Sequence, residues 1–313
     1  MTKVFIDGRA GTTGLQIEGR MEQREDIELI TLPEALKKDP AARKDAINSA
    51  DFVFLCLPDA AAIEAAGMVE NGHTRIIDAS TAHRTDPNWA YGFPELSKEH
   101  RAAIEEARLV ANPGCHATGF IALIYPLVKL GILPPDYPLS VHSLTGYTGG
   151  GKKMIGQYES PERDVEYDSP RHYGLNLSHK HIPEMMQVCG LTKAPIFCPI
   201  VCDFPQGMLV TAPLHLDMLH HGGTLEGLQR AYAEFYAGEA NIHVAPLQGG
   251  DIIRDGFLGS NNVVGSNDLN IFVCGNSRQA IVCAQFDNLG KGASGAAVQN
   301  LNIMMGIDEN TGL

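Results

Sequence analysis

The sequence predicts an N-terminal α/β domain with a doubly wound parallel sheet, followed by an α+β domain. Three observations carry this. Short apolar strands alternate with helical stretches up to Cys115. A glycine triplet stands between the first strand and the first helix. Beyond Cys115 the texture changes to clustered strands with few helices between them.

Lys3–Ile6 reads as a short buried strand and Leu15–Met21 as a helix. Between them lies Gly8-Arg9-Ala10-Gly11-Thr12-Thr13-Gly14, a Gly-x-x-Gly-x-x-Gly spacing. Glycines there let the backbone approach a pyrophosphate, which docks on the helix N-terminus. The domain is therefore expected to be Rossmann-like and dinucleotide-binding, with all seven of these residues against the cofactor. The next strand, Ile27–Leu32, ends without the acidic residue that holds a ribose 2′-hydroxyl, and no acid follows until Glu34. That absence leans toward NADP(H) over NAD. Arg9, Lys37 and Lys38 are candidate 2′-phosphate contacts, although paired lysines equally make a solvated helix face. Asp51–Leu57, ending at Pro58, and Arg75–Ser80, leading to Arg84, read as further parallel strands. Ala60–Glu70 and Lys98–Glu106 read as helices. Ligands of such sheets gather at strand C-terminal ends, so Leu57, Pro58, Ser80 and Arg84 are expected to line one crevice with the glycine turn and Cys115.

Ala107–Ala111 reads as a strand, Asn112-Pro113-Gly114 as a tight turn, and Phe120–Val128 as a helix-compatible apolar run. Cys115 thus sits where a helix begins. Unpaired N–H groups and the positive end of the macrodipole favour a thiolate there, whereas a free thiol has a pKa of about 8.5. The competing reading is a small buried hydrophobe.

In the second domain Leu139–Thr145 is a strand running into a Gly146–Lys153 loop that ends in two cations and can fold against an anion. Tyr147 and Lys152 belong to this loop. Ile196–Cys202, Met208–Leu216, Asn241–Val244, Asn270–Cys274 and Gln279–Phe286 read as strands, and Thr224–Tyr236 as an amphipathic helix. His179-Lys180-His181-Ile182-Pro183-Glu184 supplies the candidate base. Histidine titrates nearest neutrality, Pro183 favours a helix start, and Glu184 stands three residues from His181, where it can fix the imidazole tautomer. Asn288–Gly295 is a second glycine-rich loop entering a helix over Ala296–Met304, read as returning to the nucleotide domain with Gly292 and Ala293 enclosing the cofactor. The expected domains are 1–115, completed by 288–313, and 116–287.

Composition narrows the function. The 313 residues are 44% apolar and 19% charged, as in a globular chain. Met1–Gly8 enters a strand directly and no apolar run suits a membrane span, so neither a signal peptide nor a membrane partner is expected. Seven cysteines, an odd and scattered set, point to a reducing, cytoplasmic setting. Cys198 and Cys202 lie in an apolar strand without a second metal-ligand pair and read as core, so no metal is expected. A net charge of −13 speaks against nucleic acid but not against an anionic small substrate in a local cationic pocket.

A Cys-His pair joined to a dinucleotide turn fits an acylating aldehyde dehydrogenase run in reverse: thiolate attack on an acyl phosphate, loss of phosphate, hydride transfer to the thioester. At this point the chain resembles the shorter N-acetyl-γ-glutamyl-phosphate reductases of arginine biosynthesis. The resemblance runs through Gly8–Gly14, Asp78-Ala79-Ser80 to Arg84, Tyr91-Gly92-Phe93-Pro94-Glu95-Leu96, Asn112–Cys115, Gly146–Lys153 and His179–Glu184. It implies a Rossmann-like domain plus an aspartate-semialdehyde-dehydrogenase-like α+β domain, assembled as a homodimer or homotetramer. It implies Cys115 as nucleophile, His181 as acid/base, Glu184 as its support, and Arg84, Asn112, Tyr147, Lys152 and His179 around an anionic acyl-phosphate substrate. The segment between the first two strands is shorter than in the longer members of the family. Reduction of N-acetylaminoadipyl phosphate or aspartyl phosphate shares the mechanism, and a Cys-His hydrolase needs no nucleotide at all.

Overall fold

The computed structural model describes residues 1–221 and 223–313. They form two compact units, 1–114 with 293–313, and 115–292.

The first unit runs β1 (Thr2–Asp7), α1 (Thr12–Met21), β2 (Ile27–Ile30), α2 (Pro40–Ser49), β3 (Phe52–Leu55), α3 (Asp59–Ala66), β4 (Arg75–Asp78), β5 (Ala90–Tyr91), α4 (Lys98–Glu106) and β6 (Leu109–Ala111). The strands pair in the order β2-β1-β3-β4-β6-β5, every pairing parallel. Strand periodicity explains the double winding. Val4, Ile6, Phe52, Phe54 and Ile77 enter one hydrophobic cluster with Ile17 and Met21 of α1. Their neighbours Phe5, Val53, Leu55 and Ile76 enter the other with Ala46, Ile47 and Ala62 of α2 and α3. A sheet buried on both faces needs apolar residues at every position, which is why β3 reads Phe-Val-Phe-Leu. The helix expected over Ala60–Glu70 ends at Ala66. Asn48 draws the following backbone away: its amide donates to the carbonyl of Met68 and its Oδ1 accepts from the N–H of Glu70.

The second unit runs α5 (Cys115–Lys129), β7 (Ser140–Gly146), α6 (Gly151–Tyr158), β8 (Arg171–His172), α7 (Ile182–Cys189), β9 (Ile196–Cys202), β10 (Met208–His215), α8 (Leu225–Phe235), β11 (Ile242–Val244), β12 (Leu269–Gly275) and β13 (Gln279–Phe286). Its sheet is mixed, in the order β11-β12-β13-β10-β7-β9-β8. The β7–β9 and β11–β12 pairs are parallel and the others antiparallel. α5 packs on β10 and β13, and Gly119 permits it: a Cβ there would fall 2.5 Å from Val210 Cγ2 and 2.6 Å from Phe286 Cε1. Pro126 inside α5 removes the N–H that would serve the carbonyl of Ala122, and the Tyr236 hydroxyl after α8 donates to that carbonyl instead, at 2.9 Å. On the other face of the sheet Leu144 and Ile200 stand in register and half-buried, while Ile196, Pro213 and Ile281 are exposed.

The loop expected over Gly146–Lys153 is a helical turn, Tyr147–Gly150, leading into α6. Gly146 allows a close backbone approach: a Cβ would lie 2.4 Å from the carbonyl oxygen of Pro205. The chain returns to the first unit as α9 (Gly295–Met305), whose Ala297, Val298, Leu301 and Met304 enter the first cluster above. Residues 288–292 belong to the second unit rather than the first. Asn288 ties them there, accepting from the N–H of Gly207 and donating to Thr148 Oγ1.

Candidate active site

In the first unit the glycine turn joins β1 to α1. Gly8 has φ +85°, and a Cβ on it would meet the carbonyl oxygen of Cys56 at 2.3 Å. A Cβ on Gly14 would lie 2.7 Å from the Cα of Arg9 and 2.9 Å from the carbonyl oxygen of Gly8. Gly11 caps α1 without a side-chain bond. Thr12 Oγ1 is buried and has no hydrogen-bond partner. A closed backbone cradle with an unsatisfied hydroxyl at a helix N-terminus fits a dinucleotide pyrophosphate. Ala10 and Thr13 complete the turn. Arg9 is turned onto α1, where Nη1 donates to Glu18 Oε1 at 2.7 Å. Lys37 is paired with Glu34, and Lys38 is exposed.

The other strand ends of this unit are closely tied. Leu57 is half-buried and Pro58 exposed just past β3. Ser80 Oγ donates to Asp78 Oδ2 at 2.7 Å, and His83 Nδ1 meets the same oxygen at 2.6 Å while its ring stacks on Trp89. Arg84 is buried; Nε donates to the carbonyl of Asn112 and Nη2 to that of Ala79, so the guanidinium holds the ends of β4 and β6 together. The Asn112 side chain is likewise engaged, donating to the carbonyl of Ala293 and accepting from Asn300. Both side chains therefore do structural work in their own unit.

In the second unit Cys115 is the first residue of α5 and half-buried. A Cβ on Gly292 would lie 3.0 Å from the Cys115 Cβ, so this glycine lets the returning chain close on the cysteine. His116 follows, buried, and a cluster of rings surrounds it. His179 and His181 stand 5.5 and 5.6 Å away between centroids and 4.7 Å from each other, edge to face. Phe197 closes on both His116 and His179. Tyr173 Oη is 2.6 Å from His116 Nε2. Burial pushes the His116 pKa down to about 3, helped by His179 and Lys180, and that of His179 to about 4, helped by Lys180. Both imidazoles are neutral at neutral pH. Nδ1 of His179 accepts from the backbone N–H of His181, so the single proton of neutral His179 sits on Nε2. His181 caps α7, 5% exposed, and Glu184 is buried in the first turn of the same helix.

Of the other expected site residues, Tyr147 belongs to an aromatic group that packs against Tyr173. Tyr147 is buried there, stacked on Tyr158 with its hydroxyl on Glu159, and Lys152 is exposed on α6. Sequence reasoning gave His116 and Tyr173 no role. The one signal for His116 was a histidine directly behind the cysteine in the first helical turn. Tyr173 carried none.

Comparison with known proteins agrees with this architecture. Residues 31–104 match the family model described as the semialdehyde dehydrogenase NAD binding domain, and residues 115–288 match the semialdehyde dehydrogenase dimerisation domain. N-acetyl-gamma-glutamyl-phosphate reductase 2 from Nostoc sp. is 47% identical, over 99% of both chains. The N-acetyl-gamma-glutamyl-phosphate reductase of Sinorhizobium fredii is 50% identical, over 97% of this chain and 98% of that one. The chain belongs to the N-acetyl-γ-glutamyl-phosphate reductase family. Its members are oxidoreductases, and both domains expected for the family are present here. The fold is shared with aspartate semialdehyde dehydrogenase from Francisella tularensis, at TM-score 0.71 and 14% identity over 97% of this chain and all of that one. The Candida albicans enzyme, solved with NADP, gives TM-score 0.63 at 13% identity over 97% of this chain and 98% of that one.

Proposed function

We propose that this reductase converts N-acetyl-γ-glutamyl phosphate to N-acetylglutamate 5-semialdehyde and phosphate through a thioester on Cys115, using NADPH. The observation that carries the reading is a half-buried cysteine at the first position of α5, directly before His116 of a ring cluster that holds neutral histidines. The Cys115 sulfur attacks the acyl carbon, the carbon–oxygen bond to phosphate breaks, and phosphate leaves. The dinucleotide, when bound, supplies a hydride to the thioester carbon. The carbon–sulfur bond of the resulting thiohemiacetal then breaks as its hydroxyl loses its proton, which releases the aldehyde and frees Cys115. Gly8, Gly11, Thr12, Thr13 and Gly14 would hold the dinucleotide pyrophosphate, with Arg9, Ala10, Leu57, Pro58, Ser80 and Ala293 flanking it in the same unit. The absence of an acid after β2 favours NADPH over NADH.

A proton must reach the substrate oxygen as the thioester is reduced. Spacing to Glu184 singles out His181, but two observations favour its neighbour. His179 is the more exposed of the two, and its tautomer is set with the proton on Nε2. His179 then delivers the proton, its tautomer set by the backbone N–H of His181, and Glu184 supports His181 in the first turn of α7. The half-bare apolar face around Leu144, Ile196, Ile200, Pro213 and Ile281 supports a homodimer across the second unit. A biosynthetic oxidoreductase with unbridged cysteines fits the cytoplasm.

The decisive assay runs in the oxidative direction and follows phosphate-dependent NADP reduction. N-acetylglutamate semialdehyde should turn over far faster than its aminoadipate homologue or aspartate semialdehyde. NADPH should show the higher kcat/KM against NADH in the forward direction. Turnover without phosphate, or hydrolysis in a chain that takes up no dinucleotide in a binding titration, would favour a Cys-His hydrolase instead.

A further inference from the structure

The mechanism above leaves His116 without a task, yet both of its ring nitrogens are engaged. Nδ1 lies 2.7 Å from Ser143 Oγ and Nε2 lies 2.6 Å from the Tyr173 hydroxyl. Ser143 is fully buried on β7, and Tyr173 is half-buried just past β8. Residues far apart in sequence thus form one hydrogen-bonded chain directly behind the cysteine. We infer that His116 is a positioning residue: it accepts from Ser143 at Nδ1, donates from Nε2 to the Tyr173 oxygen, and so holds that phenol beside Cys115 with its own O–H turned to the sulfur.

The proton count allows two polarities, and the inferred one leaves the phenol proton free for the sulfur. A neutral imidazole carries one N–H, so one nitrogen must donate and the other accept. Desolvation holds His116 neutral. Tyr173 is within electrostatic reach of Cys115: burial first, and then the charge on Cys115, raise its phenol above the usual range. It therefore keeps its proton and remains a donor to a developing thiolate. With the opposite polarity the Tyr173 proton would point at His116 and not at the sulfur. Hydrogen bonds to a charged acceptor are the stronger ones, so the phenol favours the ionised cysteine.

The inference rests on Cys115 as the nucleophile but can be tested without turnover. Alkylation of Cys115 by iodoacetamide, read by mass spectrometry of its peptide in the full chain, reports the thiolate directly. Tyr173→Phe and His116→Phe should each slow the reaction near neutral pH by about tenfold. The double variant should be no slower than either single one. His116→Gln places an amide nitrogen where Nε2 stood and should stay within about threefold of the natural chain, while His116→Asn should fall with His116→Phe. Tyr173→Phe removes a single half-buried oxygen and keeps the test open if His116→Phe does not fold. An unchanged rate in Tyr173→Phe, or losses that multiply in the double variant, would overturn the inference. The same alkylation pattern in a chain that fails the phosphate-dependent assay would uphold it and sink the functional reading alone.

Discussion

Cys115 is the first residue of α5, and the reactivity proposed for it depends on that helix end. Cys115→Ser keeps the size but has no accessible anion at neutral pH. It should lose nearly all turnover in the phosphate-dependent assay while binding NADPH as before; activity near the natural level would exclude the thioester. The two histidines separate in the same assay. General acid–base loss costs roughly 10²- to 10⁴-fold. His179→Asn should fall in that range, because it removes the proton on Nε2. His181→Asn should cost less, since the His181 backbone N–H that sets the tautomer remains. The reverse ranking would hand the proton to His181.

Two elements carry their own expectations. The β1–α1 turn has no room for a side chain at Gly14, where backbone atoms of Gly8 and Arg9 stand under 3.0 Å from any Cβ. Gly14→Ala should weaken NADPH binding in a fluorescence titration and cost about 1–3 kcal/mol of stability. Alkylation of Cys115, in the other unit, should not change; a variant that binds NADPH normally would show that the turn is only a turn. In the second unit α8 repairs α5. Tyr236→Phe leaves the carbonyl of Ala122 buried without its donor, because Pro126 cannot supply one. The expected loss is about 1–3 kcal/mol in urea unfolding, with KM values unchanged. An unchanged urea midpoint would mean another donor reaches Ala122.

At the scale of the whole molecule, the buried imidazoles make stability depend on pH. In the unfolded chain His116 and His179 titrate near 6.5, whereas burial takes them to about 3 and about 4 in the folded one. Between those values the unfolded chain binds more protons, so stability rises with pH there. Their contribution is fully present above pH 6.5 and is lost as the pH falls toward 4 for His179 and toward 3 for His116. Urea midpoints of His179→Asn should therefore fall less steeply than those of the natural chain between about pH 6.5 and 4. Parallel curves would mean that His179 charges freely in the folded state.

Much of this molecule is written in local pattern. The alternation of apolar runs and helices set the parallel sheet, because a strand buried on both faces must be apolar throughout, as β3 is. The glycine spacing marked the turn at Gly8 because backbone that close to its neighbours excludes a Cβ. The Pro-Gly-Cys step marked the start of α5 because such a turn ends one element and opens the next. Other features have no local signature. Gly146, read as the start of an anion loop, packs on the backbone of Pro205 and Gln206, a contact made across the fold. Arg84 and Asn112 read as substrate ligands, and nothing local shows that they also donate to the carbonyls of Asn112, Ala79 and Ala293. The tautomer of His179 hangs on one backbone N–H, and the chain from Ser143 through His116 to Tyr173 joins α5, a strand and a loop. Propensity and periodicity describe what a residue does to its near neighbours. Which side chains meet across a sheet is decided only when distant segments pack, and that is where His116 and Tyr173 come together.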